Sequence, residues 1–116
     1  MSVTIYHNPR CSKSRQTLAL LQERGIEPEI VEYLAEPPDA RTLDKILTML
    51  GKEPREAMRK GEEPYRALGL ADPAKTRQEL IAAMVANPIL IERPIVVKDR
   101  RKAALGRPPE QVLDIL

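Results

Sequence analysis

The segment His7-Asn8-Pro9-Arg10-Cys11-Ser12-Lys13-Ser14-Arg15 gathers the chain's one cysteine and one histidine with three cationic and two hydroxyl side chains. A cysteine attacks as its thiolate, and the thiolate gains stability at a helix N-terminus and near positive charge. Cys11 follows an Asn-Pro turn and stands where a helical pattern begins, so unpaired amides and the helix macrodipole would favour negative charge on its sulfur. A free thiol with pKa ~8.5 is about 3% ionised at neutral pH, whereas one lowered to ~6 is about 90% ionised. The same amides, with the Ser12 and Ser14 hydroxyls, suit a tetrahedral oxyanion, so one turn would both bind a substrate and attack it. Spacing alone does not decide which of Arg10, Lys13 and Arg15 faces the sulfur. A lone cysteine is commonly an inert core residue; its place at a turn among cations favours the reactive reading. His7 is either a hydrogen-bonded strand residue or a group that tunes the thiol. One cysteine and one histidine do not make a metal site.

The elements that would hold this segment follow from hydrophobic period. Val3, Ile5 and His7 alternate with Thr4 and Tyr6, a short strand that stops at Asn8-Pro9. Leu18, Ala19 and Leu21 recur at helical spacing within 14–24, and Gly25 ends the run. Residues 29–34, Glu-Ile-Val-Glu-Tyr-Leu, read as a second strand, which makes the opening a parallel right-handed βαβ unit. Pro37-Pro38 breaks the chain, and Asp39 can cap a helix with Leu43, Ile46, Leu47 and Leu50 on one face. Shorter helices are predicted after Pro54 and Pro64, and a longer one from Thr76 carrying Leu80, Ile81 and Met84. Residues 39–86 thus read as an all-helical insertion in a single domain spanning 1–116. Ile95-Val96-Val97, a polar turn at 98–101 and Ala103-Ala104-Leu105 suggest a hairpin, and Pro108 or Pro109 opens a closing helix with Val112, Leu113, Ile115 and Leu116. The order βαβ, helices, ββα predicts an α/β fold: a four-stranded mixed sheet with flanking helices.

Composition narrows the chemistry. A chain of 116 residues fits one domain that folds without staples. The formal charge of +2, from 19 basic and 17 acidic residues, points to neither nucleic acid nor an anionic membrane. The start, Met-Ser-Val-Thr-Ile-Tyr, has no leader pattern and no apolar run nears a membrane span, so a cytoplasmic location is expected. With one cysteine, an intramolecular disulfide is impossible, and redox work at Cys11 would need a second sulfur from another molecule.

Arg59, Arg93 and Arg107 would each ordinarily be a solvated surface charge, although Arg93-Pro94 before a β-branched strand and Gly106-Arg107-Pro108 sit at constrained turns. Beyond these readings, the Cys11 segment closely resembles the active-site segment of the glutaredoxin-linked arsenate reductases. Met58-Arg59-Lys60, Glu63-Pro64-Tyr65, Asn87-Pro88-Ile89-Leu90-Ile91, Glu92-Arg93-Pro94-Ile95-Val96-Val97 and Gly106-Arg107-Pro108 resemble that family in order along almost the whole chain. The resemblance implies a thioredoxin-like core, a cis bond at Arg93-Pro94, Cys11 as nucleophile supported by His7 and Ser14, and Arg59, Arg93 and Arg107 as the arsenate clamp. It also implies arsenate and arsenite as substrate and product, and glutathione as co-substrate with glutaredoxin as partner. No tightly bound cofactor is implied. Two other functions share parts of this pattern. An Spx-like regulator binding RNA polymerase commonly carries Cys-x-x-Cys, where this chain has Ser14. A general glutathione-dependent oxidoreductase would need Cys11 but not three arginines.

Overall fold

The structure is a computed structural model that describes residues 1–116. The chain divides into two compact units, Met1–Glu36 with Arg93–Leu116, and Pro37–Glu92.

The first unit is built on a four-stranded sheet of β1 (Val3–His7), β2 (Glu29–Glu32), β3 (Ile95–Lys98) and β4 (Lys102–Leu105), in the order β2-β1-β3-β4. β1 runs parallel to β2 and antiparallel to β3, and β3 is antiparallel to β4, so the sheet is mixed. The parallel pair is joined by α1 (Ser12–Glu23), the crossover that parallel strands require. Gly25, at φ +75°, ends α1 in the left-handed conformation, and the Ile26 amide donates back to Leu21 O at 3.0 Å.

Alternation along β1 buries Val3, Ile5 and His7 on one face. Val3 and Ile5 join Leu21 of α1, Val96 of β3 and Val112 in one core cluster, flanked by Leu18, Ile26 and Ile115. His7 is the last inward residue of the same strand, so the packing that buries Ile5 also brings His7 to the end of the sheet where α1 begins.

Two elements differ from their sequence reading. β2 stops at Glu32, because the amides of Ala35 and Glu36 both turn back to Glu32 O at 3.0 and 2.9 Å. The closing helix, Pro109–Ile115, is a 3-10 helix, opened by Gln111 N donating to Pro108 O at 3.0 Å, after tandem prolines have removed two amide donors.

The second unit is helical. α2 (Ala40–Leu50) buries Leu43, Ile46 and Leu47. Asp39 caps it by accepting from Thr42 N at 2.7 Å, and Gly51 closes it at φ +66°. A 3-10 turn at Pro54–Ala57 and the short α3 (Glu63–Ala67) follow. α4 (Arg77–Ala86) starts on a capping box between Thr76 and Glu79 and packs on α2. The helical stretch expected at 39–86 falls inside this unit, which also takes in the 3-10 turn Pro88–Leu90 and a bridge between Met58 and Ile91.

Leu21→Ala should lower the unfolding free energy by roughly 2–5 kcal/mol, since it removes a fully buried side chain. Leu20→Ala, on the half-buried side of the same helix, should cost much less. Urea denaturation of both variants checks the pair.

Candidate active site

Cys11 is the N-cap of α1, with extended backbone at φ −92°, ψ 124°. The preceding turn is closed by Cys11 N donating to Asn8 O, and the helix opens with Arg15 N donating to Cys11 O, both at 3.0 Å. No conventional side-chain cap forms; the amides of Ser14 and Lys13 instead direct their N–H dipoles at the sulfur. Partial burial works against the thiolate, but the Ser14 amide, the Arg93 charge, the Lys13 amide and a hydrogen bond from Arg107 together outweigh it. The Cys11 pKa is therefore lowered.

The cations that act on the sulfur are not the neighbours in sequence. Arg10 and Arg15 are exposed, and Arg15 Nη1 donates to Pro9 O at 2.9 Å, so its charge is turned along the loop. Lys13 contributes through its amide. Arg93 and Arg107 supply the charge from the other end of the chain. Arg93 precedes β3 and Arg107 follows β4, so antiparallel pairing of the two strands returns both arginines to one end of the sheet. Arg107 Nη1 donates to Arg93 O at 3.1 Å, tying one guanidinium to the other arginine's backbone. The Arg93-Pro94 bond is cis, and so is Arg107-Pro108, which the sequence reading left undecided. Arg59 lies in the second unit, where its amide donates to Leu90 O at 2.8 Å and its guanidinium pairs with Glu62 at 3.2 Å.

Behind the thiol, His7 and Ser14 are both buried and meet at 2.6 Å between Nδ1 and Oγ. Ser14 Oγ also accepts from Asn8 N at 3.0 Å. Burial lowers the His7 pKa most, with Arg15 lowering it further and the Glu32 carboxylate opposing both. With the ring neutral, as burial favours, the hydroxyl donates to Nδ1 and the ring proton sits on Nε2. His7 is thus a hydrogen-bonded strand residue whose partner, Ser14, also presents its amide to the Cys11 sulfur. Asn8 belongs to the same network, since its Oδ1 accepts from Arg10 N at 3.0 Å. Its only trace in the sequence was the Asn-Pro turn.

A strand, a turn carrying a thiolate-stabilising cysteine at a helix start, and an Arg-cis-Pro segment entering the next strand define a thioredoxin-like thiol site on a thioredoxin-like fold. Residues 6–115 match the model of the ArsC family, and the chain belongs to that family. An uncharacterised Escherichia coli K12 protein, YfgD, is 58% identical over 98% of this chain and 96% of its own. An arsenate reductase of Rhizobium meliloti is 48% identical, covering all of this chain and 82% of its own. Among solved structures, an arsenate reductase from Vibrio cholerae superposes with a TM-score of 0.95 at 52% identity, over 100% of this chain and 98% of that one.

Two outcomes follow from the geometry. The rate of Cys11 alkylation measured across pH should titrate below that of an ordinary thiol, ~8.5; a midpoint at or above that value contradicts the site as described. Ser14→Ala leaves His7 Nδ1 and the Asn8 amide without their shared partner, so it should destabilise the protein by roughly 1–3 kcal/mol in chemical denaturation.

Proposed function

We propose that this chain reduces arsenate to arsenite, with Cys11 as nucleophile and external thiols, glutathione and glutaredoxin, as the electron source. The observation that carries the reading is the convergence of Arg93 and Arg107 on a cysteine at a helix N-terminus, in a chain whose relatives bear the name arsenate reductase. Two guanidinium groups and a fan of amides suit a tetrahedral oxyanion, because planar donors make charge-assisted, often bidentate bonds to its oxygens. A disulfide substrate has no such charge to meet.

The Cys11 thiolate attacks arsenic(V), an arsenate oxygen leaves as water, and a sulfur–arsenic bond forms. Arg93 and Arg107 neutralise the oxyanion before and during that attack. An external thiolate then attacks the Cys11 sulfur. The sulfur–arsenic bond breaks with its electron pair moving to arsenic, which leaves as arsenite, and Cys11 remains in a mixed disulfide. A second external thiol reduces that disulfide, so two thiols are oxidised for each arsenate reduced. His7 and Ser14 take a supporting role, holding the turn so that the amides keep facing the sulfur. Arg59 enters this assignment from the family resemblance alone, as a third arsenate ligand.

The test is arsenate-dependent NADPH oxidation coupled through glutathione, glutaredoxin and glutathione reductase. Turnover should require arsenate and vanish in Cys11→Ser. Arg107→Ala should lower arsenate turnover by at least tenfold, as expected on losing a charge-assisted ligand worth more than about 1.4 kcal/mol, while disulfide exchange at Cys11 falls far less. Equal losses in both assays would remove the clamp role. No arsenate turnover with any of several glutaredoxins would overturn the reading and favour a redox-responsive binding protein.

A further inference from the structure

Gly106 stands immediately before Arg107 and is buried. Its amide donates to Pro94 O at 2.9 Å, extending the β3 to β4 pairing past the last strand residue, Leu105. A Cβ at this position would collide with Thr17 Oγ1 and would lie 2.7 Å from Pro94 Cγ and 3.1 Å from Thr17 Cγ2. None of these atoms yields readily. Thr17 is fully buried and its hydroxyl donates to Lys13 O at 2.8 Å, inside the first turn of α1. Pro94 is a ring fixed between Arg93 and β3. The chain after β4 therefore passes through a gap between α1 and Pro94 that only a residue without a side chain fits.

We propose that Gly106 is a positioning residue for the thiol site: its missing Cβ lets the backbone after β4 lie against Thr17 and Pro94, which delivers the Arg107 guanidinium to Cys11 and to Arg93 O. The chain of contacts is short. Thr17 belongs to the helix whose N-terminus carries Cys11, Pro94 is bonded to Arg93, and Gly106 is bonded to Arg107. Any displacement of residue 106 away from α1 moves the next residue away from the sulfur. Thr17 shares the role, because it forms the helix side of the gap.

The proposal rests on the site assigned above, but its test needs no arsenate. In Gly106→Ala, the thiol's alkylation midpoint should rise to about that of Arg107→Ala; below the midpoint the ionised fraction falls about tenfold for each pH unit of rise, and the rate falls by less, roughly threefold, because the more basic thiolate is the better nucleophile. At high pH, where the thiol is fully ionised in both proteins, Gly106→Ala should react at least as fast as the native protein, because its thiolate is the more basic. Adding Arg107→Ala to Gly106→Ala should shift the midpoint little beyond Arg107→Ala alone, because both act through one guanidinium. Thr17→Ala removes two of the three atoms a Cβ would meet, and should partly restore the native midpoint in the Gly106→Ala background.

A native midpoint in folded Gly106→Ala, or full additivity with Arg107→Ala, overturns the proposal. Should Gly106→Ala not fold, Thr17→Ala/Gly106→Ala is measured in its place against Thr17→Ala, with a smaller rise expected because Pro94 Cγ still meets the added Cβ. Failure of both to fold would assign Gly106 to the fold instead and also overturn it. A low midpoint in the native protein with no arsenate turnover would count against the reductase reading while leaving the role of Gly106 intact.

Discussion

The arrangement of the first unit depends on holding one negative charge, the Cys11 thiolate, at a place where partial burial works against it. Desolvation disfavours the ionised thiol, so every favourable contribution has to come from oriented groups that cost nothing to align when the charge appears. The structure supplies them from two sources. The first turn of α1 provides the Ser14 and Lys13 amides, and the segments bounding the β3 to β4 hairpin provide Arg93 and Arg107. The sheet makes these sources meet. β1 leads into the Cys11 turn and pairs with β3, while β3 pairs with β4. The helix start and both arginines therefore share one end of the sheet.

The same constraint explains the buried polar pair behind the thiol. A histidine at the end of an inward-facing row would be a costly group to bury without a partner. Ser14 supplies that partner, and its oxygen also takes the Asn8 amide. One hydroxyl thus satisfies groups from both β1 and the following turn, and the same residue's amide faces the sulfur. Side chain and backbone of Ser14 serve different parts of the site. Such a shared position couples the order of the turn to the field at the thiol.

How much of this was legible in the sequence depended on the range over which each feature is encoded. The β1 alternation, the Asp39 and Thr76 caps, and the placement of Cys11 at a helix start are local patterns, and local patterns survive folding. The end of β2 was misread because Tyr33 and Leu34 continue an apolar, strand-like run while the chain is already turning on Glu32 O. The source of positive charge is not decided by spacing, for another reason. Sequence proximity suggested Arg10, Lys13 and Arg15, yet on a helix start these positions project outward, and Arg15 settles on Pro9 O. Arg93 and Arg107 are 82 and 96 positions beyond Cys11, by subtraction of their numbers, and only strand pairing brings them back. The family resemblance had named them where spacing could not. The Gly106-Arg107-Pro108 turn is visible in the sequence, but the gap that Gly106 fills is not, until Thr17 and Pro94 are seen on either side of it.

A single cysteine sets the last constraint, and it acts on the chemistry rather than on the fold. Moving two electrons from sulfur to arsenic by thiol exchange ends in a disulfide, and this chain holds only one of the two cysteine sulfurs required. In the reaction proposed above the second thiol arrives from outside, which requires a Cys11 sulfur open enough for a bulky partner to reach it. That requirement limits how far burial can be used to shape the site. The half-exposed setting of Cys11 and the exposed Arg107 beside it suit this requirement. An exposed guanidinium wanders unless something anchors it, and here the anchor is backbone: the Arg93 carbonyl holds one end of the group. Access and order are thereby reconciled, because the side chain that faces solvent is held by atoms that do not move with it.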